Sequence, residues 1–200
     1  MGRVKERSAW PIKTPRLQRT ALSRMSFSGL ALFCCVADLI FQPVIAWSQN
    51  TPQSRRDSAP AVGAAALSFD LKSLDGKPVG LQTFHGKPLV MNFFASWCDP
   101  CREEIPLIND LASKASKDGY SVLGIAVEDG RAAVTQYVTE ANLVFPIALD
   151  LNSSVKRIYR IFGPPATFFI DAQGVIRGIV LGPITPERAR DGLKKASVLR

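Results

Sequence analysis

The sequence predicts an α/β fold in which helices pack on both faces of a sheet. Short apolar runs at residues 88–94 and 121–127 have the length and composition of buried strands. Each is followed by a segment whose apolar residues recur at three- and four-residue spacing, which is typical of an amphipathic helix. The chain then ends in two more apolar runs joined by a turn, and in a last helical segment. This alternation of strands and helices predicts the fold class.

The first predicted element is a β-hairpin, because the apolar residues at 69–71 and 79–81 flank the turn pair Asp75-Gly76. The strand at 88–94 precedes a helix that Pro106 is expected to kink. The remaining predicted elements are a strand at 121–127, a helix at 132–141, a strand at 145–149, a helix at 153–159, strands at 167–170 and 175–181, and a final helix that begins at Thr185-Pro186-Glu187.

The segment Trp97-Cys98-Asp99-Pro100-Cys101 lies between the strand at 88–94 and the helix that follows. A C-x-x-C pair at such a turn is typical of dithiol redox sites, because the first sulfur lies at the helix N-terminus, where unpaired N–H groups favour a thiolate. The alternative is half of a zinc site. Zinc needs four ligands, and the only other cysteines and histidine are Cys34, Cys35 and His85. We therefore predict redox chemistry without a metal or cofactor, and we expect His85 to be an ordinary surface residue.

The basic charge of the chain is concentrated before the predicted domain. Residues 1–24 carry seven Lys and Arg residues against one Glu, whereas the net charge of the whole chain is +8. This distribution does not indicate nucleic-acid binding, which needs a basic face on a folded domain. With the apolar segment at 27–47, residues 1–47 resemble a secretory signal peptide. The alternatives are an uncleaved membrane anchor, since about 20 residues span a bilayer, and an organellar transit peptide.

Residues 48–62 are polar and lack periodicity, which predicts a flexible linker, and residues 63–200 are long enough for one domain with its own core. The signal and anchor interpretations both place this domain outside the cytoplasm, because positive flanks stay inside. If the signal is removed, the domain keeps only Cys98 and Cys101. A disulfide between cysteines so close together constrains little of the unfolded chain, so we expect this pair to serve chemistry rather than stability.

Three segments together carry a resemblance to a known family: residues 74–79, 86–106 and 163–171. With them, the chain from about residue 69 onward resembles the thioredoxin superfamily, specifically the TlpA/ResA/CcmG-like extracytoplasmic thiol–disulfide oxidoreductases. The resemblance implies a thioredoxin-like fold with a central mixed sheet, an N-terminal β-hairpin and a central strand–helix insertion. It also implies protein disulfides as substrates, a membrane thiol as electron donor and a periplasmic location, either soluble or anchored through residues 27–47.

The resemblance also assigns roles to individual residues. Pro165 matches the cis-proline that lies against the active-site disulfide and beside an extended substrate. Pro164 replaces the usual Leu or Val, removes an N–H group, and is expected to narrow the substrate groove. Glu104 matches an acid of the ResA branch that would manage the protons of the dithiol; the alternative is a first-turn carboxylate favoured by the helix dipole. Asn92 replaces the buried acid of thioredoxin itself, which argues against a plain cytosolic thioredoxin.

Cys98 is expected to be partly exposed and to attack a substrate disulfide, while the deeper Cys101 resolves the mixed disulfide. A negative charge on Asp99 beside Cys98 raises the pKa of that thiol and favours a reductant; a solvated charge with little effect is the alternative. Trp97 is expected to shield the disulfide, with simple packing as the alternative. The environment of the dithiol is predicted to consist of Trp97, Asp99, Pro100, Asn92 and Thr167.

The leading functional hypothesis is an exported reductase of protein disulfides, acting on cysteines of cytochrome c maturation or of copper centres. A thiol oxidase or isomerase on the same fold is the second hypothesis. The third is a Cu(I) metallochaperone, since a thiolate pair suits Cu(I). The spacing differs from the C-x-x-x-C and distal His of thioredoxin-like copper chaperones, and the domain has one methionine, Met91. A peroxidase would need a Thr-x-x-Cys context that the sequence lacks.

Overall fold

The computed structural model describes residues 59–197. The predicted signal or anchor segment at 27–47 and most of the linker at 48–62 lie outside the described residues. Within the described range, the helices are all too short or too polar to cross a membrane.

The described residues form a mixed sheet of seven strands with helices packed against it. The elements in chain order are β1 (Asp70–Ser73), β2 (Pro78–Gly80), a 3-10 helix (Leu81–Phe84), β3 (Leu89–Phe94), α1 (Asp99–Asp118), β4 (Ser121–Val127), α2 (Arg131–Glu140), β5 (Ile147–Asp150), α3 (Ser154–Ile158), β6 (Ala166–Ile170), β7 (Ile176–Leu181) and α4 (Pro186–Ser197). The strand order is β2-β1-β5-β4-β3-β6-β7. The β3–β4 and β4–β5 pairs are parallel and the others antiparallel, so the predicted mixed sheet is confirmed.

The N-terminal hairpin and the central insertion are both present. In the hairpin turn, Gly76 has a φ of +82°, a left-handed conformation that favours glycine. The prediction that Leu81 extends the second strand is wrong, because it begins the 3-10 helix. The strand ends at Gly80, whose N–H donates to Thr83 Oγ1 in this 3-10 helix at 3.3 Å. The insertion supplies α2 and β5, and β5 joins the hairpin to the parallel strands by pairing with both β1 and β4.

Helices pack on both faces of the sheet, as predicted, but not equally. Apolar residues of α1, α2 and α4, such as Ile108, Val134 and Ala189, share one core layer with Val90 and Phe94 of β3. The other layer is covered by the short α3 and by irregular segments, and includes Leu89, Met91, Phe93, Val155 and Tyr159. Successive residues of β3 thus point into different layers, as a strand buried on both faces requires.

The pairing of β3 positions the functional site. β3 is fully buried between β4 and β6, and Phe93 near its carboxyl end lies opposite Ala166, the first residue of β6. The residue before β6 is Pro165, so the segment after β3 and the segment before β6 meet at one edge of the sheet. α1 begins directly after this edge and continues through Pro106 to Gly119, whose φ of 77° ends the helix in the left-handed conformation.

Candidate active site

Cys98 and Cys101 form a disulfide at the start of α1, with their Cα atoms 5.3 Å apart. Cys98 is the N-cap of the helix, and its Sγ accepts a hydrogen bond from the Cys101 N–H at 3.2 Å. The unpaired N–H groups of the first helical turn therefore favour a thiolate on Cys98. Cys98 is 4% exposed and Cys101 is 0% exposed. Cys98 is thus less exposed than expected, because the disulfide ties its sulfur to a fully buried partner.

Glu104 lies one turn along α1 from Cys101 and is buried, with 4% of its surface exposed. Its Oε1 accepts a hydrogen bond from Asn92 Nδ2 at 2.8 Å, and its Oε2 accepts one from the backbone N–H of Ile184 at 2.7 Å. Burial raises the pKa of Glu104, and the two hydrogen bonds oppose that rise. The acid in the first turn of α1 is Asp99. The role of Glu104 in managing the protons of the dithiol stays a prediction.

Asn92 connects Glu104 to β6. It lies opposite Thr167 in the β3–β6 pairing, and both side chains are fully buried. Its amide nitrogen donates a second hydrogen bond to Thr167 Oγ1 at 3.1 Å. The amide oxygen, Asn92 Oδ1, is buried without a hydrogen-bond partner, and it is the one such side-chain atom in the described part of the chain. Asn92, Thr167 and Glu104 thus form one buried polar cluster, in which Glu104 lies one turn along α1 from Cys101.

The peptide bond between Pro164 and Pro165 is cis, the conformation that the resemblance implied. Pro165 is buried, and its carbonyl accepts a hydrogen bond from the Gly182 N–H at 2.9 Å, which ties the end of β7 to this loop. Phe162, in the same loop, is 98% exposed. The exposure of Phe162 was not predicted from the sequence.

The segment before Cys98 is held by the loop that follows β4. The Ser96 N–H donates to Asp129 Oδ2 at 2.6 Å, and the Trp97 indole N–H donates to the Glu128 carbonyl at 2.9 Å. From the other side, Arg102 Nε donates to the Ser96 carbonyl at 2.9 Å. Trp97 remains 56% exposed. Its shielding of the disulfide stays a prediction.

Glu128 is held in turn by Lys156. Glu128 has a φ of 52°, and its carboxylate Oε1 lies 2.6 Å from Lys156 Nζ. The Lys156 residue is only 9% exposed, whereas 43% of the Glu128 side chain is exposed. The left-handed backbone at Glu128 turns its carbonyl toward Trp97. This ion pair was not predictable from the sequence, because nothing in the local pattern links positions 128 and 156.

The remaining predicted site residues lie at the surface. Asp99 and Pro100 are exposed at the first two positions of α1. His85, which was not predicted to be a site residue, is exposed in the loop after the 3-10 helix. Among residues 59–197, no three His, Cys, Asp or Glu side chains are grouped so that they could hold a metal ion.

Comparison with solved structures defines the class of protein. The chain matches a thioredoxin-family thiol:disulfide interchange protein of Chlorobium tepidum with a TM-score of 0.60 and 31% identity, covering 69% of this chain and 99% of that one. It matches StoA of Bacillus subtilis with a TM-score of 0.55 and 26% identity, covering 66% and 98% of the two chains. With the Cys98–Cys101 pair at the start of α1, the fold and site define a thioredoxin-fold thiol–disulfide oxidoreductase.

Sequence comparison gives the family. The profile of the AhpC/TSA family matches residues 62–179. The thiol-disulfide oxidoreductase ResA of Oceanobacillus iheyensis is 33% identical over 175 residues, covering 86% of this chain and 88% of that protein. ResA of Geobacillus thermodenitrificans is 33% identical over 137 residues, covering 68% and 79%. The chain belongs to the ResA-like thiol–disulfide oxidoreductases of the AhpC/TSA family, which confirms the resemblance found in the sequence. It is an enzyme of thiol–disulfide exchange.

Proposed function

We propose that this protein is an exported reductase of protein disulfides, acting on cysteine pairs of cytochrome c maturation or of copper centres. The observation that carries the reductive direction is the acidic surroundings of Cys98. Asp99 lies at the first position of α1, and Glu128 and Asp129 form the loop that holds the residues before Cys98. Negative charge near a thiol disfavours its thiolate, and a couple whose reduced form is not stabilised gives up electrons readily.

The exchange begins with the Cys98 thiolate, which attacks one sulfur of the substrate disulfide. The substrate S–S bond breaks, a mixed disulfide forms with Cys98, and the other substrate sulfur leaves as a thiolate. The Cys101 thiol then loses its proton to the Glu104 carboxylate, and its sulfur attacks the Cys98 sulfur. This closes the internal disulfide and releases the second substrate thiolate. Two electrons pass from the cysteine pair to the substrate, and the substrate thiolates take up protons from Glu104 and from solvent.

Burial supports the role of Glu104 in this sequence. The pKa of a free Glu is about 4 and that of a Cys thiol about 8.5, so an ordinary carboxylate is a weak acceptor of a thiol proton. Burial raises the pKa of Glu104 and brings its proton affinity closer to that of a thiol. The three-residue spacing from Cys101 on α1 puts both groups on one side of the helix.

The cis-proline loop supports a role in holding an extended substrate. Pro165 is expected to lie against the dithiol, and Pro164 offers a backbone carbonyl but no N–H group. A substrate strand that pairs beside this loop therefore accepts no hydrogen bond from Pro164. The exposed Phe162 ring supplies apolar surface for the side chains that flank the substrate cysteine.

The proposal that this protein is exported rests on the basic and apolar segments at the start of the sequence. We propose that residues 1–47 are a signal peptide or a membrane anchor, that 48–62 are a linker, and that 63–200 are the catalytic domain in the periplasm. A membrane protein with a dithiol then reduces the Cys98–Cys101 disulfide by the same exchange in reverse, and is itself oxidised. Fusion of residues 1–62 to a reporter that is active only outside the cytoplasm tests this export; a reporter that stays inactive contradicts it.

The reduction potential of the Cys98–Cys101 couple tests the reductive direction. The full-length chain is equilibrated in glutathione and in dithiothreitol buffers, and the fraction of free thiol is measured. A value near or below about −270 mV, that of thioredoxin, agrees with a reductant that needs a dedicated donor. A value above about −180 mV would instead identify an oxidase or isomerase and overturn the proposal.

A further inference from the structure

The loop between β7 and α4 contacts both the segment before β6 and the buried acid. Its Gly182 N–H donates to the Pro165 carbonyl at 2.9 Å, and its Ile184 N–H donates to Glu104 Oε2 at 2.7 Å. Pro165 precedes β6 and Glu104 lies on α1, so the two acceptors belong to different parts of the fold. A short piece of chain thus connects the two residues to which the proposed mechanism assigns substrate holding and proton transfer.

This loop has little freedom to deform between its two contacts. Gly182 has a φ of +87°, a left-handed conformation that favours glycine. Pro183 lies between the two donors, and its ring fixes its φ at about −65°. The Ile184 side chain is buried in the core layer that also contains Cys98 and Cys101. A shift of one N–H group is therefore expected to move the other.

The hydrogen bond from Ile184 favours the ionised form of Glu104. A hydrogen bond to an ionised acceptor is about twice as strong as one between neutral groups, so a proton on Glu104 weakens this contact. Burial raises the pKa of Glu104, and the Ile184 and Asn92 donors oppose that rise. Of these two donors, Ile184 is the one on the loop that also contacts Pro165. The position of this loop thus affects how readily Glu104 ionises.

We propose that Ile184 is a positioning residue of the proton transfer, because its backbone N–H keeps Glu104 ionised and ready for the proton of Cys101. The Gly182–Pro165 hydrogen bond links this contact to the segment that holds the substrate. This inference rests on the proposed function, in which Glu104 takes that proton. Coupling of this kind is reciprocal, so a substrate that steadies the Pro165 segment favours ionised Glu104 by the same factor as ionised Glu104 favours the substrate.

The other groups near Glu104 are a neutral amide, a tyrosine and the dithiol. In the described part of the chain, the hydrogen bonds to Glu104 come from the Asn92 amide of β3 and from the loop. On α2, burial raises the pKa of Tyr137, Arg102 lowers it and Glu104 raises it further. On α1, Cys101 is the group that exchanges the proton, and the charged side chains of α4 are exposed. Ionised Glu104 thus depends on neutral donors, of which the loop supplies one.

The first measurement follows backbone amides by nitrogen-15 NMR in the oxidised full-length chain, where the cysteines do not titrate. The midpoint of Glu104 comes from carbon-13 NMR of labelled glutamate, with Glu104→Gln to assign the signal. We expect the Ile184 and Gly182 signals both to move with this midpoint. The Gly174 amide, which donates to a carbonyl at the other end of β7, should not. An Ile184 signal that moves while Gly182 stays still would show that the contact ends at the acid, and would overturn the proposal.

The second measurement displaces the loop by Gly182→Ala. The φ of +87° strains any other residue, and no described atom beyond its chain neighbours lies within 4 Å of the added Cβ, so the change acts on the backbone. We expect the Glu104 midpoint to rise by about one pH unit, a tenfold gain in proton affinity, because the Ile184 N–H is drawn away from the carboxylate.

Gly174→Ala is the matched control, because Gly174 has a φ of +81° and an equally open site in the turn at the start of β7. It should lower the Tm as Gly182→Ala does and leave the Glu104 midpoint unchanged. Equal midpoints in the two variants would contradict the role of the loop.

A kinetic comparison separates this inference from the proposed function. The reduced enzyme releases one thiolate from 5,5′-dithiobis(2-nitrobenzoate) when Cys98 attacks, and a second thiolate when Cys101 attacks the mixed disulfide. The rate of the second release is measured against pH for wild type, Glu104→Gln and Gly182→Ala. Because the acceptor must be ionised, the acidic limb of the Gly182→Ala profile should move to higher pH.

The two variants fail in different ways. If the Glu104→Gln profile coincides with that of wild type, Glu104 does not accept the proton, and the role of Ile184 falls with that step; the reduction potential still decides whether the protein is a reductant. If Glu104→Gln differs from wild type but Gly182→Ala does not, the proton transfer stands and the role of Ile184 is wrong.

Discussion

The two sides of the disulfide handle negative charge in opposite ways. On the outer flank, formed by Trp97, Asp99 and the Glu128–Lys156 pair, carboxylates face solvent or a lysine. On the inner flank, formed by Asn92, Glu104 and Thr167, one carboxylate is buried among neutral donors. Charge on the outer flank acts on Cys98 through space and is screened by water. Charge on the inner flank is a proton-binding site whose affinity its hydrogen-bond partners determine.

The strongest test of this division is to remove each sulfur in turn. Cys98→Ser should lose all measurable disulfide reduction, because the attacking group is gone. Cys101→Ser should also fail to turn over, but it should accumulate a mixed disulfide between Cys98 and the substrate. Mass spectrometry of the intact protein after mixing with substrate distinguishes the two. A trapped adduct in Cys98→Ser rather than Cys101→Ser would reverse the assignment of the flanks.

The buried Glu104 of the inner flank should make the stability of the folded protein depend on pH. Burial raises the pKa of Glu104 in the folded state above its unfolded value, so the folded state binds more protons and loses stability as the pH rises through the folded pKa. Glu104→Gln removes this loss. We expect the Tm difference between the two proteins to move in favour of Glu104→Gln as the pH rises from 4 to 8.

Thermal unfolding of both proteins across this pH range checks the prediction. Glu103→Gln, which changes an exposed acid on α1, is the matched control, and its Tm difference from wild type should be the same at the two pH values to within about 1 °C. A Tm difference that moves in favour of wild type as the pH rises would show that the carboxylate is held more favourably than its burial implies.

On the outer flank, we expect Lys156→Met to change the stability of the protein and the pKa of the Cys98 thiol only modestly. It keeps the buried stem of Lys156 but leaves the Glu128 carboxylate without its cation, next to the loop that holds Trp97. Because 43% of the Glu128 side chain is exposed, solvent screens the uncompensated charge, and we expect a loss of stability of about 1 kcal/mol or less. The Cys98 thiol pKa should rise, which alkylation rates measured against pH detect.

Lys195→Met provides the comparison for that variant, because Lys195 pairs with Asp191 on the surface of α4. It should change neither the stability nor the Cys98 titration. Equal effects of the two lysine variants would mean that the Glu128–Lys156 pair has no special connection to the dithiol.

Asp99→Asn should give the smallest effect of these substitutions, a small change in the reduction potential of the Cys98–Cys101 couple. Removing an exposed charge beside Cys98 makes the thiolate easier to form and the couple more oxidising, by about 10 mV, since exposed charge interactions are worth under about 1 kcal/mol and 30 mV corresponds to about 1.4 kcal/mol. Asp118→Asn, at the far end of α1, should leave the potential where it was. An unchanged potential in Asp99→Asn would remove Asp99 from the account of the reductive direction.

Features that depend on nearby residues were predictable from the sequence. The strand periodicity, the C-x-x-C turn and the Thr185-Pro186 helix start gave nearly all the elements with small boundary differences. Leu81 was misassigned because an apolar residue after a strand does not reveal that Thr83 will accept the Gly80 N–H. The resemblance predicted which residues belong to the inner flank, but the sequence did not predict the hydrogen bonds that they make.

Those connections join distant parts of the chain. Glu104 receives a hydrogen bond from Ile184, which is 80 residues away, and the donor is a backbone N–H that every residue but proline carries. The Lys156–Glu128 pair likewise joins α3 to the loop after β4, and neither residue lies in a motif. Such contacts are set by how the elements pack together, and no periodicity within one element records them.

The position of β5 has a consequence for any attempt to shorten this protein. Within the described sheet, β1 pairs with β2 and with β5, so the hairpin reaches the rest of the sheet through the inserted strand. Deleting α2 and β5 to obtain a smaller thioredoxin-like scaffold would detach the hairpin and leave β4 as an open edge, free to recruit a strand from another molecule. The minimal stable form of this enzyme therefore keeps its insertion, although the reacting cysteines lie outside it, at the start of α1.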